Sequence, residues 1–303
     1  MGRTTFRRTG RNEPENDLAT AERLASPKSA GRTEKPQRRL ALLVEYQGTA
    51  YGGSQLQKSV PTIQGALERA LSTLTGESIR AALAGRTDAG THAKGQVASF
   101  VTRSRHSTAT FERALNALLP ADIGVRAVAE VPLAFDPRRQ ALGRLYRYTL
   151  HLGPQRPALL RHFAWHRPEQ LDIETMTEAA ACLIGIHDFA AFTQPSQARR
   201  RSAERVVAQT ALRRKGELAL FDIDANAFLP QMVRRIVGAL VEVGSGSRTQ
   251  SEFEALVRDA HPGAARKVAP ARGLCLMKVR YEDELFSDPR QGTSSLLGAE
   301  GGA

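Results

Sequence analysis

Residues 79–102 read IRAALAGRTDAGTHAKGQVASFVT. The first seven, Ile79 to Gly85, read as a strand that runs into a loop, and Gln96 to Thr102 read as the strand that leaves it. Between them the stretch AGRTDAGTH, Ala84 to His92, carries one arginine, one aspartate and one histidine among small residues. Gly85 and Gly90 tolerate backbone angles that other residues resist, so they permit a tight turn that presents Asp88 outward. Helical patterns stand on either side of this strand–loop–strand unit. That mixture sets the fold class.

Upstream, LALLVEYQG (Leu40 to Gly48) is an apolar strand closed by glycine. In TIQGALERALSTLTG (Thr62 to Gly76) the apolar residues Ile63, Ala66, Leu67, Ala70, Leu71 and Leu74 recur at helical spacing. Thr62 is the N-cap and Gly76 the stop. Downstream, TFERALNALLP is a second amphipathic helix closed by Pro120, and IGVRAVAEV and LYRYTLHL are strands. The second half repeats the mixture. LDIETMTEAAACLIG is a helix ending at Gly185, and RVVAQTALRRKGELALFDIDA is a hairpin turning at Lys215-Gly216. QMVRRIVGALVEVG and SEFEALVRDA are helices, and LCLMKVRYE is a final strand. Strands joined by hairpins and alternating with helices indicate an α+β fold with a mainly antiparallel sheet. Residues 1–38 and 285–303 are polar and read as a disordered basic extension and a disordered tail. Residues 39–150 and 151–284 read as two related halves.

Bulk properties narrow the function. The chain has 303 residues, 41 % of them hydrophobic, enough for a sizeable core. No apolar run is long enough to span a bilayer, and the N-terminal stretch lacks the apolar centre of a secretory signal. Cys182 and Cys275 match no zinc or redox spacing and read as core thiols of a cytoplasmic protein. The formal net charge is +12 and the pI about 10.4. Residues 1–39 supply +5 of that, which leaves +7 on the folded body. Such a surface attracts polyanions, of which nucleic acid is the commonest in a cytosol.

Taken alone, an aspartate in a glycine-rich turn is more often a cap of its own backbone than a catalytic group. Arg86 alone reads as a surface charge and His92 as a turn residue. A cation two residues from Asp88 favours the charged carboxylate, and a held carboxylate can serve as nucleophile or base. The ligands near it are too few for a metal, and no dinucleotide, phosphate-loop or serine or cysteine nucleophile motif is present. GRLYRYTLH places Tyr146 and Tyr148 on one strand face among Arg144 and Arg147, which suits base stacking and phosphate pairing. A half-buried strand with its arginines outside fits the same residues equally well. SQARRRSAERVV gathers Arg199, Arg200, Arg201 and Arg205 in what reads as a loop, either solvated or a phosphate contact. Arg234 and Arg235 sit early in a helix, against the dipole preference, which points to an anionic partner. Met232, Ile236, Ala239 and Leu240 make the core stripe of that helix.

AGRTDAGTHAKGQVASF resembles the signature of the tRNA pseudouridine synthase A family. In order along Leu40 to Tyr281, LLVEYQGTAYGG, TIQGALERAL, NALLPADIGV, RLYRYTL, DFAAF, NAFLPQMVRRIVGAL and APARGLCL resemble its other blocks. The resemblance implies the pseudouridine-synthase fold, two similar halves sharing one sheet with a central cleft. It implies isomerisation of uridine to pseudouridine at positions 38 to 40 of the tRNA anticodon arm, by a homodimer without cofactor or metal. It implies Asp88 as nucleophile, Tyr146 as the tyrosine that stacks on the base and is a candidate to remove the C5 proton, and Arg86 as a residue holding the flipped nucleotide and the aspartate. The chain departs from the family at GGSQ, Gly52 to Gln55, where an aromatic residue is usual, and at Pro230, where a polar or basic one is. The first departure removes an expected aromatic wall of the RNA surface. The rival readings are an inactive RNA binder, which would lack Asp88 or Tyr146, a hydrolase, which would need a partner base or metal cluster, and a purely structural basic protein.

Overall fold

The computed structural model describes Gly2, residues 36–199 and residues 202–286. The expected N-terminal extension, most of the expected tail, Arg200 and Arg201 lie outside the described residues. The core is one sheet of ten strands with helices packed on it. The strands are β1 (Arg38–Tyr46), β2 (Ala82–Leu83), β3 (His92–Thr102), β4 (Ile123–Val131), β5 (Gly143–His151), β6 (Trp165–His166), β7 (Gly185–Asp188), β8 (Glu204–Lys215), β9 (Leu218–Ala225) and β10 (Leu274–Arg280). Their spatial order is β4-β1-β3-β10-β5-β9-β8-β7, with β2 on β3 and β6 on β5. All pairs are antiparallel except β10 with β3 and β6 with β5. The expected α+β fold with a mainly antiparallel sheet is what the chain forms. The last strand, β10, lies between β3 and β5, so the first and second halves of the chain meet at the middle of the sheet.

The helices are α1 (Ile63–Thr75), α2 (Thr108–Leu118), α3 (Ile173–Ala181), the short α4 (Pro195–Ala198), α5 (Met232–Gly244) and α6 (Gln250–Asp259). Local chemistry sets their ends. The Thr62 hydroxyl accepts the Gly65 N–H, and Gly76 closes α1 in the left-handed region at φ 72°. Thr249 and Glu252 form a reciprocal capping box at α6. Sequence and structure differ at several ends, and β3 starts at His92, four residues before the expected Gln96. The expected strand from Ile79 to Gly85 shrinks to Ala82–Leu83, because Ala81 N–H and the neighbouring Arg80 are taken by the Glu68 carboxylate on α1. Helix α3 stops at Ala181 rather than Gly185, and Gly185 instead opens the edge strand β7 at φ 113°.

One sheet face carries the main core. Along β1 the residues Leu40, Leu42, Val44 and Tyr46 alternate into it, and along β5 so do Tyr146, Tyr148 and Leu150. A smaller cluster on the other face joins Ala41, Val131 and Phe135, and Leu285 and Phe286, at the start of the expected tail, pack against it. Helix α5 is buried nearly all round, and its expected stripe of Met232, Ile236, Ala239 and Leu240 is at most 1 % exposed. It can be buried so closely because Gly238 lets the segment 265–270 cross it. A Cβ built on Gly238 would lie 2.2 Å from the Lys267 carbonyl oxygen.

Replacing Gly238 with alanine therefore sets two effects against each other. Helix propensity alone favours alanine by about 1 kcal/mol, but the clash is with backbone and has no flexible side chain to yield. Gly238→Ala is expected to lower the melting temperature. An unchanged or higher value by thermal circular dichroism would show that the 265–270 crossing relaxes freely.

Candidate active site

The loop from Ala84 to Thr91 joins β2 to β3 and is held by side chains from several elements. Gln96 on β3 brackets Gly85, its Nε2 donating to the Gly85 oxygen at 2.9 Å and its Oε1 accepting the Gly85 N–H at 3.3 Å. Ser54 brackets Thr87, its Oγ accepting the Thr87 N–H at 2.8 Å and its own N–H donating to the Thr87 oxygen at 3.1 Å. The Thr87 and Tyr46 hydroxyls share a hydrogen bond of 2.9 Å. Burial raises the Tyr46 phenol to about 12, with the bonds to Thr87 and Gln96 opposing that rise. The Asp88 carbonyl accepts the Thr91 N–H, and Gly90 turns the chain at φ 78°. A loop whose backbone groups are satisfied in this way presents a side chain without needing regular structure.

The departure at GGSQ acquires a structural meaning here. Ser54 is fully buried and Gly53, at φ 107°, lies against the Thr87 carbonyl. The segment supports the Asp88 loop through Ser54 and Gly53. Pro230 precedes α5, and its carbonyl accepts the Thr193 hydroxyl at 3.0 Å.

The cation that holds Asp88 is not the neighbouring Arg86. The Arg86 side chain is exposed and makes no hydrogen bond among the described residues. A residue two positions along a turn points elsewhere, and the partner comes from the opposite half of the chain. Arg234 Nη1 donates to Asp88 Oδ2 at 3.0 Å, and Arg234 Nε donates to the Ala269 oxygen at 2.7 Å. The anion that the early-helix arginine pointed to is thus present within the chain. The other carboxylate oxygen, Oδ1, accepts no hydrogen bond among the described residues, and the side chain is 36 % exposed. One oxygen is oriented and the other is available.

Tyr146 stands on the core face of β5, paired in register with Leu276 of β10 and Ile223 of β9. Its ring meets Phe228 edge-on, with centroids 5.0 Å apart. Burial first, then the charges of Tyr46 and Asp88, push its phenol above the ordinary tyrosine range, while Arg144 opposes. Tyr148, expected on the same face, is fully enclosed, and its hydroxyl donates to the Pro270 oxygen at 2.8 Å. Of the two, it is the Tyr146 phenol that the Asp88 charge helps to raise. The strand arginines split between the faces. Arg147 makes a two-point pair with Asp222 at 2.7 and 2.8 Å, while Arg144 is 9 % exposed and faces inward with the tyrosines.

Of the arginine run, Arg199 and Arg205 are among the described residues. Arg199 is exposed at the end of α4, and Arg205 belongs to β8, where its Nη1 donates to the Ser202 oxygen at 2.9 Å. The expected loop is therefore partly short helix and partly strand.

His92 ends the loop and is more than a turn residue. Its Nδ1 accepts the Gly48 N–H at 3.1 Å, which places the proton on Nε2. Nε2 then faces the His162 and Arg272 carbonyl oxygens at 2.7 and 3.1 Å, and the ring lies against Phe163. Burial is the first cause that lowers its pKa, with the two backbone bonds opposing. The residues that sequence reading missed are Gln96, Ser54 and the role of His92, which act through backbone carbonyls and amides, and Tyr46, whose hydroxyl meets the Thr87 hydroxyl and the Gln96 amide. Such partners leave no spacing signal.

The family profile described as tRNA pseudouridine synthase matches residues 42–138 and 179–282. A tRNA pseudouridine synthase A of Roseiflexus castenholzii is 45 % identical over 251 residues, covering 82 % of this chain and 92 % of that one. Those of Geotalea uraniireducens and Geobacter sulfurreducens are 40 % and 43 % identical, each covering 80 % of this chain and 100 % of its own.

The His92 geometry gives a pH expectation. Its folded pKa lies below its ordinary value of 6.5. Below about 6.5 the unfolded chain takes up a proton that the folded imidazole refuses, so stability present above that pH falls as the pH drops through the folded value. His92→Asn keeps an oxygen acceptor for Gly48 without titrating. Melting temperature against pH should fall less steeply for the variant than for the wild type between pH 6.5 and 5, and parallel curves would exclude His92 as the source.

The loop bearing Asp88 and the helix bearing Arg234 both lie within the matched segments, and on this extent of match the chain belongs to the tRNA pseudouridine synthase family.

Proposed function

We propose that this protein isomerises uridine to pseudouridine at positions 38 to 40 of the tRNA anticodon stem-loop, with Asp88 as the nucleophile. The observation that carries the reading is the Arg234–Asp88 ion pair, in which one oxygen of a partly exposed carboxylate is tied down and the other accepts no hydrogen bond among the described residues. The reaction breaks the N1–C1′ bond, turns the uracil and joins C5 to C1′. N1 gains a proton and C5 loses one, so no outside reagent enters the balance. A single held carboxylate suffices, attacking either C1′ of the sugar or C6 of the base.

The target base must leave its stack to reach that carboxylate, which calls for an aromatic platform and cations. Tyr146 with Phe228 edge-on supplies the platform. In this reading the exposed Arg86, two residues from Asp88, takes the flipped nucleotide's phosphate. Because the Tyr146 phenol is pushed upward, it stays neutral at physiological pH. A neutral phenol takes the C5 proton only by releasing its own, to the freed Asp88 carboxylate or to water. The chain's excess of basic residues, Arg199, Arg200, Arg201 and Arg205 among them, supports binding of the tRNA backbone. No described helix is long and apolar enough to cross a membrane. A cytoplasmic site of action and a homodimer that engages tRNA across both subunits complete the reading.

Two substitutions test it with tritium-labelled uridine in an anticodon-arm tRNA. Asp88→Asn is expected to abolish C5 tritium release and to leave tRNA affinity nearly unchanged, and turnover near wild type would remove Asp88 from the nucleophile role. Tyr146→Phe keeps the ring, so it should bind tRNA yet release little tritium. Tyr146→Ala should lose binding as well, by about 1–3 kcal/mol for the stacked base. Full activity in the phenylalanine variant would confine Tyr146 to stacking.

A further inference from the structure

Arg144 is a buried cation whose hydrogen-bond partners are all carbonyl oxygens. Its Nη1 donates to the Asn226 oxygen at 2.7 Å and to the Ala141 oxygen at 3.3 Å. Its Nη2 donates to the Ala84 and Arg138 oxygens, each at 2.9 Å. Burying a cation without a carboxylate is costly, and burial depresses the Arg144 pKa as expected. A chain that needed only an apolar filler at this strand position would have no use for a guanidinium. What the guanidinium adds is its set of fixed, planar donors, which reach carbonyls in different directions at once.

The segments it joins are those that meet at Tyr146. Ala84 is the fully buried first residue of the Asp88 loop. Asn226 follows β9 and opens the segment that carries Phe228, which packs edge-on with the Tyr146 ring, and that leads into the helix of Arg234. Arg138 and Ala141 belong to the connection from β4 to β5. Arg144 itself is two residues from Tyr146 on the same strand face. One side chain therefore spans from the loop that carries the carboxylate to the segment that walls the aromatic platform.

We propose that Arg144 is a positioning residue for the isomerisation, fixing the separation between the Asp88 loop and the Tyr146–Phe228 pair. This rests on the roles given above to Asp88 and Tyr146. Arg144 touches no substrate, so its loss acts on the rate of the bound complex and not on tRNA affinity. A misplacement of about 1 Å can cost on the order of 100-fold in rate.

The test uses the full chain, an anticodon-arm tRNA carrying tritium at C5, and the variants Arg144→Lys, Arg144→Ala and Asp88→Asn. Single-turnover tritium release, tRNA affinity by filter binding and melting temperature are measured for each. Both Arg144 variants are expected to release tritium about 100-fold more slowly, with tRNA affinity within about threefold of wild type. Lysine keeps the charge but not the fork, so it should not rescue. Millimolar guanidinium, well below denaturing levels, should restore part of the Arg144→Ala rate and none of the Asp88→Asn rate. The proposal is overturned if the rate follows only the folded fraction, if affinity falls as much as the rate, if guanidinium leaves the alanine variant unchanged, or if neither Arg144 variant folds. Activity retained by Asp88→Asn would sink the catalytic reading itself. An inactive Asp88→Asn beside an unimpaired Arg144→Lys would sink this inference alone.

Discussion

The ion pair between Arg234 and Asp88 is the constraint around which the rest is arranged. It joins a loop of the first half to a helix of the second, and it does so at 3.0 Å. Its value is not thermodynamic. With both side chains partly open to solvent, a pair of this kind contributes about 0–1 kcal/mol. Meanwhile the arginine sits in the first turn of α5, where the helix dipole disfavours a cation. The chain keeps it there because the same side chain must reach both the Ala269 oxygen and the carboxylate. For that reach, the segment 265–270 must lie directly on α5, and Gly238 is the residue that lets it do so.

A second constraint follows. A carboxylate offered to a large substrate cannot sit on a regular strand buried among neighbours, so the loop has to leave the sheet and still be rigid. Regular hydrogen bonding is replaced by side chains that copy it. Gln96 and Ser54 each satisfy both a donor and an acceptor of one loop residue, as a neighbouring strand would. His92 and Arg144 fix the two ends of the loop, one through a neutral imidazole and one through a guanidinium. Both are buried, and both have lowered pKa values for that reason. The loop is thereby a rigid support for a mobile chemistry, with Arg86, Ala89 and part of Asp88 left to solvent while Thr87 and Thr91 are buried.

The sequence carried the periodic features well. Thr62 and Gly76 bracket α1 as their chemistry requires, the Lys215-Gly216 hairpin turns where glycine adopts φ 58°, and the apolar stripe of α5 is core. It carried the family through the ordered blocks that resemble it. It did not carry the pairing of Asp88, because Arg86 is near in sequence and Arg234 is near only after folding. The inward turn of Arg144 was legible in principle, since residues 144, 146 and 148 share a strand face, but a charged residue reads as exposed until carbonyl partners are known to await it. The GGSQ segment was read as a surface because the missing aromatic side chain drew attention from the backbone, which is what the loop uses.

The two faces of β5 show how the sheet separates charge. On the outer face, Arg147 is neutralised by Asp222, which also takes Arg213, and on neighbouring β10 Arg280 is neutralised by Asp224. On the inner face, Arg144 bonds only to carbonyls, and Arg235 bonds to the Ala265 carbonyl and the Gln231 amide oxygen. Carbonyl oxygens orient a guanidinium but do not cancel its charge, so the inner face keeps a positive field that the outer face has lost. Asp88 meets the inner arginines directly at one point, Arg234 of α5, and through one oxygen only. A single contact of that kind orients a carboxylate without covering it, which leaves its other oxygen uncommitted among the described residues.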